Sequence, residues 1–127
     1  MLEKKIYYIN GKWMKSEEAT IPFSDAGFLY GDGLFETLRF DNKKIFSPNK
    51  HIKRILSGLE LIKLNHSFNQ KNLLSLLQKI IKKNSLENGI IRIMITRGDL
   101  SKRKIIPNIY LNIKSFYDIP TKPVKVV

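Results

Sequence analysis

Asp25-Ala26-Gly27-Phe28-Leu29-Tyr30-Gly31-Asp32-Gly33-Leu34-Phe35-Glu36-Thr37-Leu38-Arg39 is the stretch on which the reading of this chain turns. Its glycines let the backbone turn tightly beside aromatic side chains before the chain extends. From Leu34 to Phe40 the side chains then alternate, as in a half-buried strand. Leu34, Leu38 and Phe40 share one face, and Phe35, Thr37 and Arg39 the other. Glu36 falls on the apolar face. A carboxylate there requires a hydrogen-bonding or charged partner, because burying it alone costs several kcal/mol.

Upstream, Ile6-Tyr7-Tyr8-Ile9 and Lys12-Trp13-Met14 flank Asn10-Gly11. Asn-Gly between two strand-like runs predicts a hairpin, since its two-residue turn needs positive φ at both central positions. A loop is expected from Ser16 to Gly33. Downstream, Asp41-Asn42 turns the chain into Lys44-Ile45-Phe46. Ser47-Pro48 predicts a helix start, with Ser as cap and Pro in the first turn. Ile52, Ile55, Leu56, Leu59 and Ile62 then recur at helical spacing. A second helix follows, capped by Asn69 or Ser67, with Leu73, Leu74, Leu76, Leu77, Ile80 and Ile81 as its apolar face.

Asn88-Gly89 ends that connection. Ile91, Ile93 and Ile95 alternate with Arg92, Met94 and Thr96, and Ile109, Leu111 and Ile113 with Tyr110 and Asn112, giving two more strands. Strands, a helix pair and strands again predict an α+β fold, with two helices packed on one face of a largely antiparallel sheet. Pro123-Val124-Lys125-Val126-Val127 reads as the opening of a further strand.

The 127 residues fit one domain, and no apolar run approaches the roughly 20 residues of a membrane span. With no cysteine, disulfides and thiolate sites are excluded. The N-terminus shows no signal-peptide block, so a cytoplasmic protein is expected. The net charge of +12 invites a nucleic-acid reading. However, 18 of the 23 basic residues are lysines spread along the chain. The short clusters Lys82-Lys83 and Lys102-Arg103-Lys104 fall at a helix end, where lysine complements the dipole, and in a loop. A lysine-rich solvated surface accounts for the charge, and no nucleic-acid partner is expected.

Most catalytic constellations are missing. His51 and His66 have no acidic pairing or metal-ligand spacing in the sequence, and no metal site is expected. There is no Gly-x-Ser-x-Gly elbow or Walker loop. Gly31-Asp32-Gly33 precedes a strand, so it is no dinucleotide fingerprint. The stretch from Asp25 to Arg39, however, closely resembles the hallmark of the class-IV aminotransferases. That family includes branched-chain and D-amino-acid aminotransferases and aminodeoxychorismate lyases. The resemblance continues in order through Asn10-Gly11-Lys12, Ile45-Phe46, His51-Ile52-Lys53-Arg54 and Ile93-Met94-Ile95-Thr96-Arg97-Gly98. It covers nearly the whole chain.

The resemblance implies that residues 1–127 are the family's single N-terminal small domain. It implies pyridoxal phosphate as cofactor, an amino-acid or aminodeoxychorismate-type substrate, and a homodimer of the full-length enzyme. Arg54 matches the arginine that binds the cofactor phosphate, a task suited to its planar fork. Tyr30 and Phe35 match aromatic positions of the substrate pocket. Arg92 matches a substrate-side position of branched-chain enzymes, and Arg97 one that holds a substrate carboxylate in D-amino-acid enzymes. The family's catalytic lysine, which bonds to the cofactor, lies in a second domain beyond residue 127. No catalytic residue is therefore expected in this chain, and alone it should be inactive. Phe35-Glu36-Thr37-Leu38-Arg39 resembles aminodeoxychorismate lyases and generic class-IV members, and Thr96-Arg97-Gly98 leans toward the lyase and D-amino-acid side, which leaves aminotransferase and lyase both open. The alternative is a basic nucleic-acid-binding or interaction module without catalysis.

Overall fold

In the computed structural model, residues 4–116 are described. The two opening strands are β1 (Ile6–Ile9) and β2 (Lys12–Lys15), joined by Asn10 and Gly11 at φ 47° and 93°. That is the predicted hairpin, with Ile9 opposite Lys12. A 3-10 turn at Ser16–Glu18 leads on to a short helix, α1 (Ala26–Tyr30). Then come β3 (Gly33–Asp41), β4 (Lys44–Ile45), α2 (Pro48–Leu61), α3 (Gln70–Asn84), β5 (Gly89–Thr96) and β6 (Asn108–Ser115).

One six-stranded sheet runs in the order β2-β1-β6-β5-β3-β4, with every pairing antiparallel. Its long central strands fix each other's register. Phe35 lies opposite Met94, Thr37 opposite Arg92, and Met94 opposite Tyr110. Side chains of period two then decide the faces. Leu38, Phe40, Ile91, Ile93, Ile95, Leu111 and Ile113 are buried on one of them. There they meet Ile52, Ile55 and Leu59 of α2 and Leu73, Leu77, Ile80 and Ile81 of α3. Each buried Leu or Ile contributes about 1.5–3 kcal/mol of transfer free energy, so this two-layer core drives folding. The predicted α+β architecture, with both helices on one face of an antiparallel sheet, is the one observed. Asn84 closes the layer's far end: its side chain accepts from Ile6 N at 2.7 Å and donates to Ile6 O at 3.0 Å.

Two local expectations turn out differently. The Ser16–Gly33 stretch is not all loop, because Asp25 caps α1 and Gly31, at φ 66°, ends it in the left-handed conformation. Ser47 stands at the N-cap of α2 but has φ 46° and makes no side-chain cap bond, so Pro48 and the apolar stripe start that helix without it. Of the two caps open to α3, Asn69 is the one used, accepting from Asn72 N at 2.8 Å as expected. The strand expected at residues 123–127 lies outside the described residues.

Candidate functional site

Glu36, the carboxylate on the apolar face, finds its partners on α2. Arg54 Nε donates to Glu36 Oε1, and Arg54 Nη2 donates to Oε2 at 3.0 Å. His51, one turn earlier, brings Nδ1 to 3.2 Å from Oε2 and 3.3 Å from Arg54 Nη2. These bonds from Arg54, helped by His51, hold the Glu36 carboxyl below the usual carboxylate range against the upward push of burial. The same pairing raises Arg54. The carboxylate is 10% exposed and the Arg54 side chain 68%. Nη1 makes no hydrogen bond among the described residues. One edge of the guanidinium is thus clamped by Glu36 while the other faces outward. A planar donor fork fixed in this way suits a phosphate, which it can grip through two charge-assisted bonds.

A second cluster holds the aromatic loop. Asp25 is 1% exposed and accepts four bonds: Thr96 Oγ1 at 2.6 Å, Asn108 Nδ2 at 2.8 Å, Tyr110 OH at 2.9 Å and Phe28 N at 3.0 Å. Burial pushes its carboxyl up, but the four donors outweigh that and hold it below the ordinary value of 3.8. In return, burial and the bond to Asp25 raise Tyr110. Nearby, the Ser24 hydroxyl and then Ser101 bring Asp99 down to about 2. Backbone bonds from Ala26 N to Gly98 O and from Leu100 N to Ser24 O complete the attachment. A loop of short local structure is thereby pinned to the ends of β5 and β6.

Pinned there, the loop builds one wall of a cavity of about 340 Å³ on the sheet face that the helices leave open. Ile21, Phe28, Phe35, Met94, Thr96 and Tyr110 line it. Phe35 is 64% exposed, and the Arg92 guanidinium lies 5.4 Å from the centre of its ring. Tyr30, 75% exposed, closes α1 just before the turn into β3. The structure therefore groups Phe35 with Arg92 and sets Tyr30 at the neighbouring helix end. Arg54 stands on the helix side of β3, through Glu36. Arg97 does not line the cavity. Its guanidinium bonds to Asp32 and to the carbonyls of Ile62 and Lys63.

Two participants escaped the sequence reading. His51 does meet an acid, but only because the phase of α2 lays it over Glu36 of β3, fifteen residues away. Asp25 could have been noticed as a cap residue ahead of Ala26-Gly27. Its other donors, 71 to 85 residues away, give no local signal. His66 is used locally, accepting from Phe68 N at 3.0 Å and stacking on the Phe68 ring. Among the described residues no helix is long and apolar enough to cross a membrane.

Comparison with known proteins gives this geometry its context. The D-alanine aminotransferase of Staphylococcus epidermidis is 31% identical over 120 residues, covering 94% of this chain and 38% of that protein. The chain therefore spans well under half the length of such curated relatives. The branched-chain amino acid aminotransferase of Escherichia coli superimposes with a TM-score of 0.81 at 19% identity, over 90% of this chain and 40% of that one. The branched-chain aminotransferase of the thermophilic archaeon Thermoproteus uzoniensis, solved with norvaline, gives 0.78 at 19% identity, over 90% and 41%. At such identities these two likenesses show a shared fold. The family model for class IV amino-transferases matches residues 33–127, from the start of β3 to the last residue. By that match the chain belongs to the amino-transferase class IV family.

Proposed function

We propose that this chain is the N-terminal part of a pyridoxal-phosphate-dependent aminotransferase acting on an amino acid, with the cofactor-bonding lysine supplied by residues beyond 127. The observation that carries the reading is the outward edge of Arg54, held in place by Glu36. When bound, pyridoxal phosphate supplies the electron sink that makes the substrate α-proton acidic. This chain's own residues bind and orient. Arg54 grips the phosphate end, and Glu36 keeps its fork from swinging. Phe35 and Tyr30 give the substrate an apolar wall that keeps water away, and Arg92 sets a positive charge beside Phe35 for a substrate carboxylate.

Transamination is favoured over the lyase reaction by the D-alanine aminotransferases among the curated relatives. D-alanine-type amino acids are accordingly the first substrates to test. Exposed Phe23, Phe28, Leu29 and Tyr30 on and before α1 support a homodimer of the full-length enzyme, with this loop near the subunit boundary. The cysteine-free composition fits a cytoplasmic protein.

The test is the protein extended through its second domain, incubated with pyridoxal phosphate and borohydride. A trapped adduct at a single lysine beyond residue 127, weakened by Arg54→Ala, supports the reading. An extended protein that takes up no cofactor overturns it, and its basic surface should then be titrated with nucleic acid.

A further inference from the structure

Arg97 follows directly on β5, and its side chain ties three segments together. Nε donates to Asp32 Oδ2 at 2.6 Å, Nη2 to the carbonyl of Ile62 at 2.7 Å and Nη1 to the carbonyl of Lys63 at 3.4 Å. Its backbone N–H also donates to Asp32 O at 3.0 Å. The two carbonyl acceptors lie just past the end of α2, where Lys63 takes a left-handed φ of 54°. Helix ends leave such carbonyls unpaired, and a cation there complements the dipole.

Asp32 sits in the turn between Tyr30 and Phe35, and α2 carries Arg54 two turns before Ile62. All three guanidinium nitrogens are therefore engaged within the fold. They lie between the helix bearing the phosphate arginine and the turn bearing the aromatic wall. We propose that Arg97 is a positioning residue: it fixes the Tyr30–Phe35 wall relative to Arg54 and does not itself hold the substrate carboxylate. The aminotransferase reading above is assumed here. Asp32 is the other half of the device, and the helix transmits its anchoring because a packed α-helix moves as a rigid unit.

The two possible roles separate on a substrate lacking the carboxylate. The extended, cofactor-loaded enzyme is given either an amino acid or the amine with the same side chain, and the single-turnover rate is followed by absorbance. A misplaced wall slows both reactions, since an ångström of misplacement costs roughly tenfold to a hundredfold. Arg97→Gln and Asp32→Asn are therefore expected to slow both substrates by the same factor, roughly tenfold. The double variant should be no slower than either single one. Any change in KM should be the same for the amino acid and the amine, because no contact with the carboxylate has been removed.

Should Arg97→Gln not fold, Arg97→Lys makes the same comparison. It keeps the charge beside Asp32 and loses the fork that reaches two carbonyls. A loss confined to the amino acid, with the amine unaffected and Asp32→Asn silent, overturns the proposal and makes Arg97 a carboxylate ligand. Wild-type enzyme that takes up no pyridoxal phosphate fails earlier and differently, sinking the functional reading and this inference with it.

Discussion

Glu36 and Arg54, eighteen residues apart in the chain, form a two-point contact in which each oxygen of the carboxylate accepts from a different nitrogen of the guanidinium. The contact joins the apolar face of β3 to the outer side of α2. It resolves the one misfit in the strand's alternation. It also leaves a cation exposed yet held still, which is what a phosphate site needs and a mobile surface arginine does not supply.

Removing that cation should weaken cofactor binding directly. Arg54→Ala in the extended enzyme is expected to raise the Kd for pyridoxal phosphate at least about tenfold, through loss of charge-assisted bonds. Glu36→Gln leaves the cation but loosens its aim, so a smaller rise of about threefold is expected. Absorbance titration with the cofactor, with inorganic phosphate as competitor, reads both. Unchanged affinity in Arg54→Ala would remove Arg54 from the phosphate site.

The depressed carboxylates make the fold sensitive to acid. Asp25 and Glu36 both ionise at lower pH in the folded chain than their ordinary values of 3.8 and 4.5. Between the two states' values the unfolded chain binds more protons. Their stabilisation is therefore complete above about pH 4.5 and is lost as pH falls through the depressed folded values. Thermal melts from pH 7 to pH 2 should show Tm declining only below about pH 4.5. Asp25→Asn should lower stability at neutral pH by about 1–3 kcal/mol, because its amide NH2 must replace one carboxylate oxygen and so face a donor, either Phe28 N or the Thr96, Asn108 and Tyr110 group. It should also flatten the acid limb. An acid limb of unchanged slope in Asp25→Asn would show that Asp25 is not the group being titrated.

Gly33 marks where the aromatic loop joins the sheet. A Cβ there would lie 2.6 Å from Ile95 O and 2.9 Å from Thr96 Cα, both backbone atoms with no room to yield. Gly33→Ala should therefore push β3 off β5 at their paired ends and cost about 1–3 kcal/mol. Hydrogen exchange of the Gly33–Phe35 and Met94–Thr96 amides, which open first if the strands part, checks it. Unchanged protection would mean that the strands absorb the methyl group elsewhere.

Much of this arrangement could be read from the sequence, and the exceptions share a cause. Alternation in β3, β5 and β6 and the stripes of α2 and α3 are local patterns set by burial, so they gave the layers and the faces. Tyr110 defied its face. Alternation puts it on the open side, but the Asp25 loop folds over it and leaves it 4% exposed. Ser47 failed as a cap because the turn out of β4 holds its backbone left-handed. The Glu36–His51 and Asp32–Arg97 contacts depend on the phase of α2 against β3 and on how β5 leaves the sheet. Tertiary packing sets both, and no spacing in the sequence records them. Arg54 alone showed only an outward-facing arginine, and the phosphate-binding role proposed for it came with the family resemblance.

Phe35 offers the sharpest test of the substrate wall. Its ring is 64% exposed, lines the cavity and lies 5.4 Å below the Arg92 guanidinium. Phe35→Ala removes an apolar surface and also frees Arg92 to move, since a cation over a ring gains about 0.5–1 kcal/mol at an exposed site. In the extended enzyme KM for an amino acid should rise roughly tenfold, with a smaller change in kcat, because ground-state and transition-state contacts are lost together. Phe35→Tyr keeps the ring and the cation contact and should stay within about twofold of wild type. Arg92→Met, which keeps the length without the charge, should raise KM for amino acids while leaving the Kd of pyridoxal phosphate unchanged, as Arg92 and Arg54 lie on opposite faces of the sheet. Steady-state kinetics with cofactor titration on the same three variants settles the division of labour. A Phe35→Ala enzyme with wild-type KM would place the substrate elsewhere and leave the open sheet face to another role.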